Sequence, residues 1–471
     1  MTGMTLKSIA QACGGVLHGD NGNTEEVLGV ELDSRKLQEG YLFLATKGER
    51  VDGHSFISQA FEKGCFGVVC EKLPEKMEGP CILVEDSFKA LQDIAIYYRK
   101  QLKIKVVGIT GSVGKTSTKE VIASTLAEKY NVLKTEGNFN NEIGLPLTVL
   151  KIRDEHEIAV LEMGINHFGE MHRLSRIAQP DVCVITNIGQ CHLEFLGDRD
   201  GVLKAKTEMF DFMNPNGVVC LNGDDDKLIT VKEVHGKAPV FFGRTEHCHI
   251  QALNVENYGL DGSKADVKEN ELSAILPAFS YKADTDSKWS IRVHVPGEHM
   301  VLNAMAAVAV GRALGMDEEQ IAAGIAKTAS VGGRSNIIRN EAFTIIDDCY
   351  NANPVSMKAA VELLDTAKTR KVAILGDMFE LGEDEKKLHH EVGSFIAHKN
   401  IDVVIGIGSL AEEIYLAAKE GSATCYHYLT KQEMMKDANA IFQKGDTILI
   451  KASHGMGFSE LVTFCSSHIW I

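Results

Sequence analysis

Between residues 104 and 222 the apolar positions gather in short, β-branched stretches instead of alternating with polar ones. "IKVVGIT" (104–110), "EIAVLEM" (157–163), "DVCVITNI" (181–188) and "GVVCLN" (217–222) all have this character, which marks strands buried on both faces. Between them the spacing changes to three and four, as with Val121, Ile122, Leu126 and Ala127 within 116–129, and that is the period of helices. Strands alternating with helices predict a parallel sheet covered on its faces. The pattern resumes after residue 336, with strands at 343–347, 371–377, 402–408 and 446–453 and helices at 355–368, 384–398, 409–420 and 432–443. This is a second, doubly wound domain. A small mixed α/β unit precedes residue 100 and ends in the helical "SFKALQDIAIYYRKQL". The more polar stretch 244–296 reads as antiparallel or irregular additions, a helix covers 299–314, and "TASVGGRSN" (328–336) reads as a linker. The expectation is an α/β protein of three domains, at 1–102, 103–329 and 330–471.

Composition narrows the class. A chain of 471 residues suits two or three domains. The longest apolar candidate, "MVLNAMAAVAVGRALG", is interrupted by Asn303, Gly311 and Arg312, so no membrane helix is expected. The start "MTGMTLKSIAQACGG" lacks a basic segment followed by an apolar one, so no signal peptide is expected. Eleven cysteines without any C-x-x-C pair fit reduced thiols in a cytoplasm. A net charge of −16 argues against a nucleic-acid or membrane binder. It leaves room for anionic small substrates held at helix N-termini.

The stretch "GITGSVGKTSTKE" (108–120) departs by one position from the common phosphate-loop pattern, which places a glycine five residues before Gly114. Here Ile109 stands at that place and the glycine falls at Gly108. The predicted strand–loop–helix context still supports a phosphate site. Backbone N–H groups of Gly111, Ser112, Val113, Gly114, Lys115, Thr116 and Ser117 could wrap a polyphosphate. Lys115 would reach its outer phosphates, and the Thr116 hydroxyl would face a magnesium ion. The competing account is a glycine turn before a surface lysine. A further signal is the stripe Val202, Lys206, Met209 and Met213 at i, i+4, i+7 and i+11. A lysine on an apolar face must snorkel, pair or lose its charge.

The variant loop resembles that of the Mur ligases and of folylpolyglutamate synthase. "GNFNNEIGLPLT" (137–148), "DDCYNANPVSM" (347–357) and "LGDMFELG" (375–382) are similar to motifs of one Mur ligase branch, and "DSRKLQEGYLFLATKGERVDGHSF" (33–56) resembles its UDP-sugar-binding segment. The resemblance covers the chain in order. It implies a UDP-sugar domain, a central P-loop ATPase domain and a C-terminal Rossmann-like domain. The implied reaction is ATP-dependent addition of D-alanyl-D-alanine to a UDP-N-acetylmuramoyl tripeptide through an acyl phosphate, in cytoplasmic peptidoglycan precursor synthesis. ATP and Mg²⁺ are the implied cofactors, and the chain is expected to be a monomer.

The same resemblance implies roles for single residues. Thr116, Glu162, His192 and Lys206 match the metal-binding set, with Lys206 carbamylated in several relatives. Glu162 also ends a predicted strand at the edge where such sheets bind ligands. Lys115, Lys206, His192 and Arg334 match catalytic positions. Asn303, Arg334 and Asp348 match nucleotide contacts, Arg334 being delivered from the third domain. Ser34, Arg35, Lys47, Asp52 and His54 match the uridine-diphosphate region, and Asn138, Asn141, Tyr350, Asn351 and Asn353 match substrate contacts. Asp377, Glu380, Lys451 and His454 carry weaker cases. Turns and helix caps compete as explanations for Asp52, the asparagines and the aspartate pair Asp347–Asp348. A reading from another class, a P-loop switch without bond formation, would leave the first and third domains idle.

Overall fold

The computed structural model describes residues 1–19, 22, 24–48, 51–270, 288–330 and 332–467. Three sheets organise it. The first runs in the order Val16–His18, Cys81–Leu83, Gly67–Cys70, Tyr41–Leu44 and Gly29–Glu31, with only the first pair antiparallel. The second carries the parallel series Val240–Gly243, Val218–Asn222, Val182–Ile185, Lys105–Thr110, Ile158–Glu162 and Val132–Lys134. The third runs Asn336–Arg339, Thr344–Asp347, Thr447–Lys451, Lys371–Gly376, Val403–Ile407 and Thr424–Tyr428, again with one antiparallel pair, the first. The α/β reading with three domains holds.

By packing, the chain forms two compact units. The first contains Met1–Gln251 and Ala306–Ile321; the second contains Ala252–Lys268, Asp286–Met305 and the chain from Ala322. The boundary at 102 separates sheets and not cores, whereas the buried residues of the two cores on the third sheet all lie beyond 329. In the first unit one core runs from Leu6, Leu42 and Ile82 through Leu91 and Ile94 to Leu145 and Ile177. The helix Ser87–Gln101 joins its parts. Asp86 caps it by accepting from the Lys89 N–H, and its buried stripe includes Leu91, Ile94 and Tyr98. Tyr98 donates its hydroxyl to the Ile152 carbonyl at 2.6 Å, and Arg99 donates to the carbonyls of Ala178 and Gln179 at 2.8 and 3.0 Å. The guanidinium thus satisfies the exposed carbonyl end of the helix Glu170–Ala178.

In the second unit each central strand feeds two cores. Val372 and Ile374 pack on one side of the sheet with Phe458 and Leu461, while Ala373 and Leu375 pack on the other with Val361 and Val392. Period-two alternation of apolar side chains between two helix layers is what a doubly wound sheet requires. Within 244–296, Ser263–Glu269 and Lys288–Val293 form an antiparallel pair, as expected; 271–287 lie outside the described residues. The linker reading of 328–336 needs correction at its end, because Asn336 already begins an edge strand paired with Thr344–Asp347. Val331 and the chain end 468–471, part of the apolar "SSHIWI", lie outside the described residues.

Candidate active site

Strand register gathers the central site. Ile109 pairs with Glu162 on one side, and Thr110 pairs with Ile185 on the other. The loop Gly111–Gly114, the Glu162 carboxylate and the segment after Ile185 therefore emerge together at the carboxyl edge of the parallel sheet, where such sheets bind ligands. Glycine is required twice in the loop. A Cβ on Gly111 (φ +154°) would lie 1.9 Å from Thr186 Oγ1, and Gly114 is left-handed at φ +81°. The neighbouring segment fixes the loop's shape. Ser112 N–H donates to the Asn187 carbonyl and Val113 N–H to Asn187 Oδ1, each at 3.0 Å, while Thr186 Oγ1 and Asn187 Nδ2 donate to the Val113 carbonyl.

This corrects one expectation, since the N–H groups of Ser112 and Val113 are already engaged. The donors left to offer an anion are at Gly114 and in the first turn of the helix Lys115–Leu126, where N–H groups have no intrahelical acceptor. Lys115 arcs back so that Nζ donates to the Gly111 carbonyl at 2.9 Å. Thr116 is buried in the first turn, and Ser117 is half-buried beside it.

Glu162 is 2% exposed, and its two oxygens differ. Oε1 accepts from Asn140 Nδ2 at 2.9 Å, while Oε2 is buried without a hydrogen-bond partner. A buried carboxylate oxygen without a hydrogen-bond partner at a ligand-binding edge fits a hard divalent cation. Among the described residues, no three His, Cys, Asp or Glu side chains are grouped so as to hold a metal ion by themselves. Asn140 was not singled out from the sequence; Asn141 and Asn138 were. Asn141 Oδ1 instead accepts the N–H groups of Ile143 and Gly144 and sets the turn into the helix Gly144–Val149, and Asn138 is exposed.

The stripe reading of Lys206 holds: Val202, Lys206, Met209 and Met213 are all buried, while Lys204 and Asp211 are exposed. Burial, helped by the nearby Lys115 charge, pushes the Lys206 amine down to about 7. At that value much of it is neutral near neutral pH, and a neutral amine is the nucleophilic form. Cys191 acts on Lys206 in the opposite sense, which places the segment around His192 close by. His192 is exposed, left-handed at φ 51°, and begins the short helix Leu193–Leu196.

Among the first-domain candidates, several side chains are committed to the fold. Asp52 Oδ1 accepts the His54 N–H at 3.0 Å and stands 2.6 Å from His54 Nδ1, while His54 Nε2 accepts the Glu71 N–H. Both imidazole nitrogens are thus occupied. Ser34 is buried against Gln59, and Lys63 donates to the Ser34 carbonyl. Arg35 is exposed and makes a bidentate pair with Asp33, and Lys47 bridges to Asp52 through the backbone.

In the second unit, Arg334 stacks on Tyr350 with its guanidinium carbon 4.1 Å from the ring centroid. The Gly333 N–H donates to Asp347, the Tyr350 N–H donates to the Gly333 carbonyl, and the Ser335 N–H donates to Asp348. Lys451 is buried and donates to Asp348 Oδ2 at 2.6 Å and to the Asn351 carbonyl at 2.9 Å. It ties the loop together at Asp348 and Asn351. His454 lies beside Tyr350, their ring centroids 5.6 Å apart. Asn353 caps the helix Pro354–Asp365 in a reciprocal box with Ser356. Asn351 Oδ1 accepts from the Ala352 N–H. Asp377 accepts from the N–H groups of Leu410 and Ala411 and so caps the helix Ala411–Ala418, and Glu380 is exposed. Asn303 is buried in the second turn of the helix His299–Ala313.

Family models agree with this layout. "Mur ligase family, catalytic domain" matches residues 26–111, "Mur ligase middle domain" matches 109–311, and "Mur ligase, glutamate ligase domain" matches 333–454. The UDP-N-acetylmuramoyl-tripeptide–D-alanyl-D-alanine ligase of Bacillus subtilis is 38% identical, covering 97% of each chain. The enzyme of the same name from Escherichia coli is 32% identical, covering 98% of each. A crystal structure of MurF from Acinetobacter baumannii superposes with TM-score 0.86 at 32% identity over 99% of both chains. MurF ligase from Thermotoga maritima in complex with ADP gives 0.78 at 30% identity, covering 93% of this chain and 96% of that one.

Proposed function

The chain belongs to the Mur ligase family, in the branch of the UDP-N-acetylmuramoyl-tripeptide–D-alanyl-D-alanine ligases, and from that premise we propose how its residues carry the reaction. It is an ADP-forming amide ligase. The terminal carboxylate of the tripeptide attacks the γ-phosphate of ATP, giving an acyl phosphate and ADP. The amine of D-Ala-D-Ala then attacks the acyl carbon, and inorganic phosphate leaves. The observation that carries this assignment is the shared sheet edge, where the glycine loop and the buried Glu162 carboxylate lie on adjoining strand ends, with the buried Lys206 amine of the helix Arg199–Thr207 within electrostatic reach of Lys115.

The first step brings two anions together and needs positive charge at the transferred phosphoryl group. Lys115 and the N–H groups opening its helix supply it on the β/γ-phosphates. Mg²⁺, when bound, adds charge neutralisation between the phosphate oxygens; Thr116, Glu162, His192 and Lys206 are the residues assigned to it. Lys206 is read as carbamylated. Its neutral nitrogen adds to CO₂ with loss of a proton, which turns a misplaced amine into an anionic oxygen donor suited to a hard cation. Ser34, Arg35 and Lys47 are assigned to the UDP moiety, with Asp52 and His54 shaping that loop. Arg334, Asp348 and Asn303 are assigned to nucleotide, and Tyr350, Asn351 and Asn353 to the dipeptide. The work is assigned to the cytoplasm, where UDP-linked precursors are made, and to a monomer.

The test is phosphate release from Mg-ATP with UDP-muramoyl tripeptide, with and without D-Ala-D-Ala, reading the UDP product by mass. Release coupled to a product heavier by one dipeptide is expected. Turnover indifferent to the dipeptide would refute the assignment.

A further inference from the structure

The helix that opens with Lys115 carries a second lysine one turn on. Lys119 is 1% exposed, although nothing in the reaction above uses it. Its Nζ donates to the Thr135 carbonyl at 2.7 Å and pairs with Glu120 Oε1 at 3.0 Å. It also stands 3.9 Å from Glu162 Oε2, the oxygen that lacks a hydrogen-bond partner. Lys134 pairs with the other oxygen of Glu120. The strand that carries Glu162 is tied to the same place, since the Glu162 N–H donates to Thr135 Oγ1 at 3.0 Å.

Burying a lysine costs several kcal/mol unless the charge is matched. Matching Glu120 alone does not require this position, because Lys134 already serves that carboxylate. What Lys119 adds is a fixed positive charge facing the open oxygen of Glu162, close but not bonded to it. A divalent cation on that oxygen would feel the ammonium directly, at a distance where charge–charge interactions in a protein interior remain strong.

We propose that Lys119 is the resting counter-ion of Glu162, a positioning residue that weakens the metal site in the nucleotide-free enzyme. The metal then binds with its nucleotide phosphates and does not occupy Glu162 alone. Free cation at Glu162 would sit where the nucleotide-bound cation must arrive, so a site tuned below self-sufficiency favours productive order. The inference rests on Glu162 being a metal ligand, as assigned above.

The test is direct Mn²⁺ binding to the full-length enzyme without nucleotide, followed by electron paramagnetic resonance of free Mn²⁺. Wild type is compared with Lys119→Gln, which keeps a donor for the Thr135 carbonyl, with Lys119→Met, and with the charge-preserving Lys119→Arg. Expected is a gain in Mn²⁺ affinity of about tenfold or more on charge removal, no gain for Lys119→Arg, and loss of the gain when Glu162→Gln is added. Thermal melts and UDP-substrate binding establish that each variant is folded. Unchanged or weaker Mn²⁺ binding in a folded Lys119→Gln or Lys119→Met chain would overturn the proposal. The underlying assignment is tested separately with ADP present. If Glu162→Gln alone leaves Mn²⁺ binding untouched there, the metal reading of Glu162 fails; if it weakens binding while Lys119→Gln has no effect, only the counter-ion role fails.

Discussion

Lys451→Met separates a scaffold role from a ligand role in the second unit. The side chain is 3% exposed and its partner Asp348 is 13% exposed, with 2.6 Å between Nζ and Oδ2. The ammonium also serves the backbone carbonyls of Asn351 at 2.9 Å and Asp348 at 3.3 Å. Removing one member of a buried pair strands the other, and such changes cost about 3–5 kcal/mol. Asp348 keeps the Ser335 N–H at 2.9 Å, so the lower end applies, about 3 kcal/mol. For a domain of this size that is a fall in Tm of about 6–12 °C. Asp348→Asn in the same chain removes the stranded charge and keeps the shape. The double variant should recover about 2 kcal/mol of the loss. Urea unfolding gives the magnitude, and hydrogen exchange resolved by peptide should place the loss in the strands Thr344–Asp347 and Thr447–Lys451. If Lys451→Met costs under about 1 kcal/mol, or the double variant is no better than the single one, the pair is not the clamp its geometry implies.

Gly111→Ala places a Cβ against Thr186 Oγ1 at 1.9 Å, so it should cost about 1–3 kcal/mol and raise the KM for ATP. Thermal melts and phosphate release read both effects, and Thr186→Ala should return part of the loss. Lys206, with an amine near pH 7 in the fold against 10.5 in the open chain, binds its proton more readily when unfolded. Wild-type stability should therefore rise with pH between about 7 and 10.5 and lie flat below that window. Lys206→Met should flatten this slope, gain up to about 3 kcal/mol at pH 8, and abolish ligation; parallel slopes in bicarbonate-free urea titrations would refute this. Asp377→Ala uncaps the helix Ala411–Ala418 and should lose about 1–2 kcal/mol. Steady-state KM values for ATP and the dipeptide should stay unchanged in the folded fraction, against the earlier candidacy of Asp377 as a site residue.

The fold was legible where strands are buried on both faces, because such strands leave unbroken apolar stretches. Ile158–Glu162 and Val403–Ile407 are buried at every position. The edge strands Asn336–Arg339 and Thr424–Tyr428 are half-exposed along their length, so their pattern merges with that of loops, and neither was foreseen. In the site, Lys206 could be read because its anomaly is local, a charge on an apolar helical stripe. Asn140, Thr135 and Lys119 could not be read, since their meaning lies in contacts with Glu162 that span 22, 27 and 43 residues of sequence. Other candidates carry a structural role that spacing did not reveal. Asp52, Asn141, Asn353 and Asp377 each accept backbone N–H groups at a turn or helix start. Small polar residues before helices serve both purposes, and spacing alone does not separate them.

The three lysines buried among the described residues, Lys119, Lys206 and Lys451, show how structure sorts what composition cannot. Lys451 is saturated by one carboxylate and two carbonyls, and such an ammonium has no capacity left for chemistry. Lys119 has its donors in use while its charge faces one unbonded oxygen, so it can act only through the field it sets. Lys206 has no carboxylate within ion-pairing reach among the described residues, and a second lysine charge lies nearby. Burial without compensation is unfavourable to the fold, and nothing in the packing of Val202, Met209 and Met213 calls for an amine there. A position that breaks the local rule with no structural return marks a place where function holds the residue. The prediction for Lys206→Met follows from that asymmetry: a more stable protein that no longer joins its substrates, where Lys451→Met yields a weaker one.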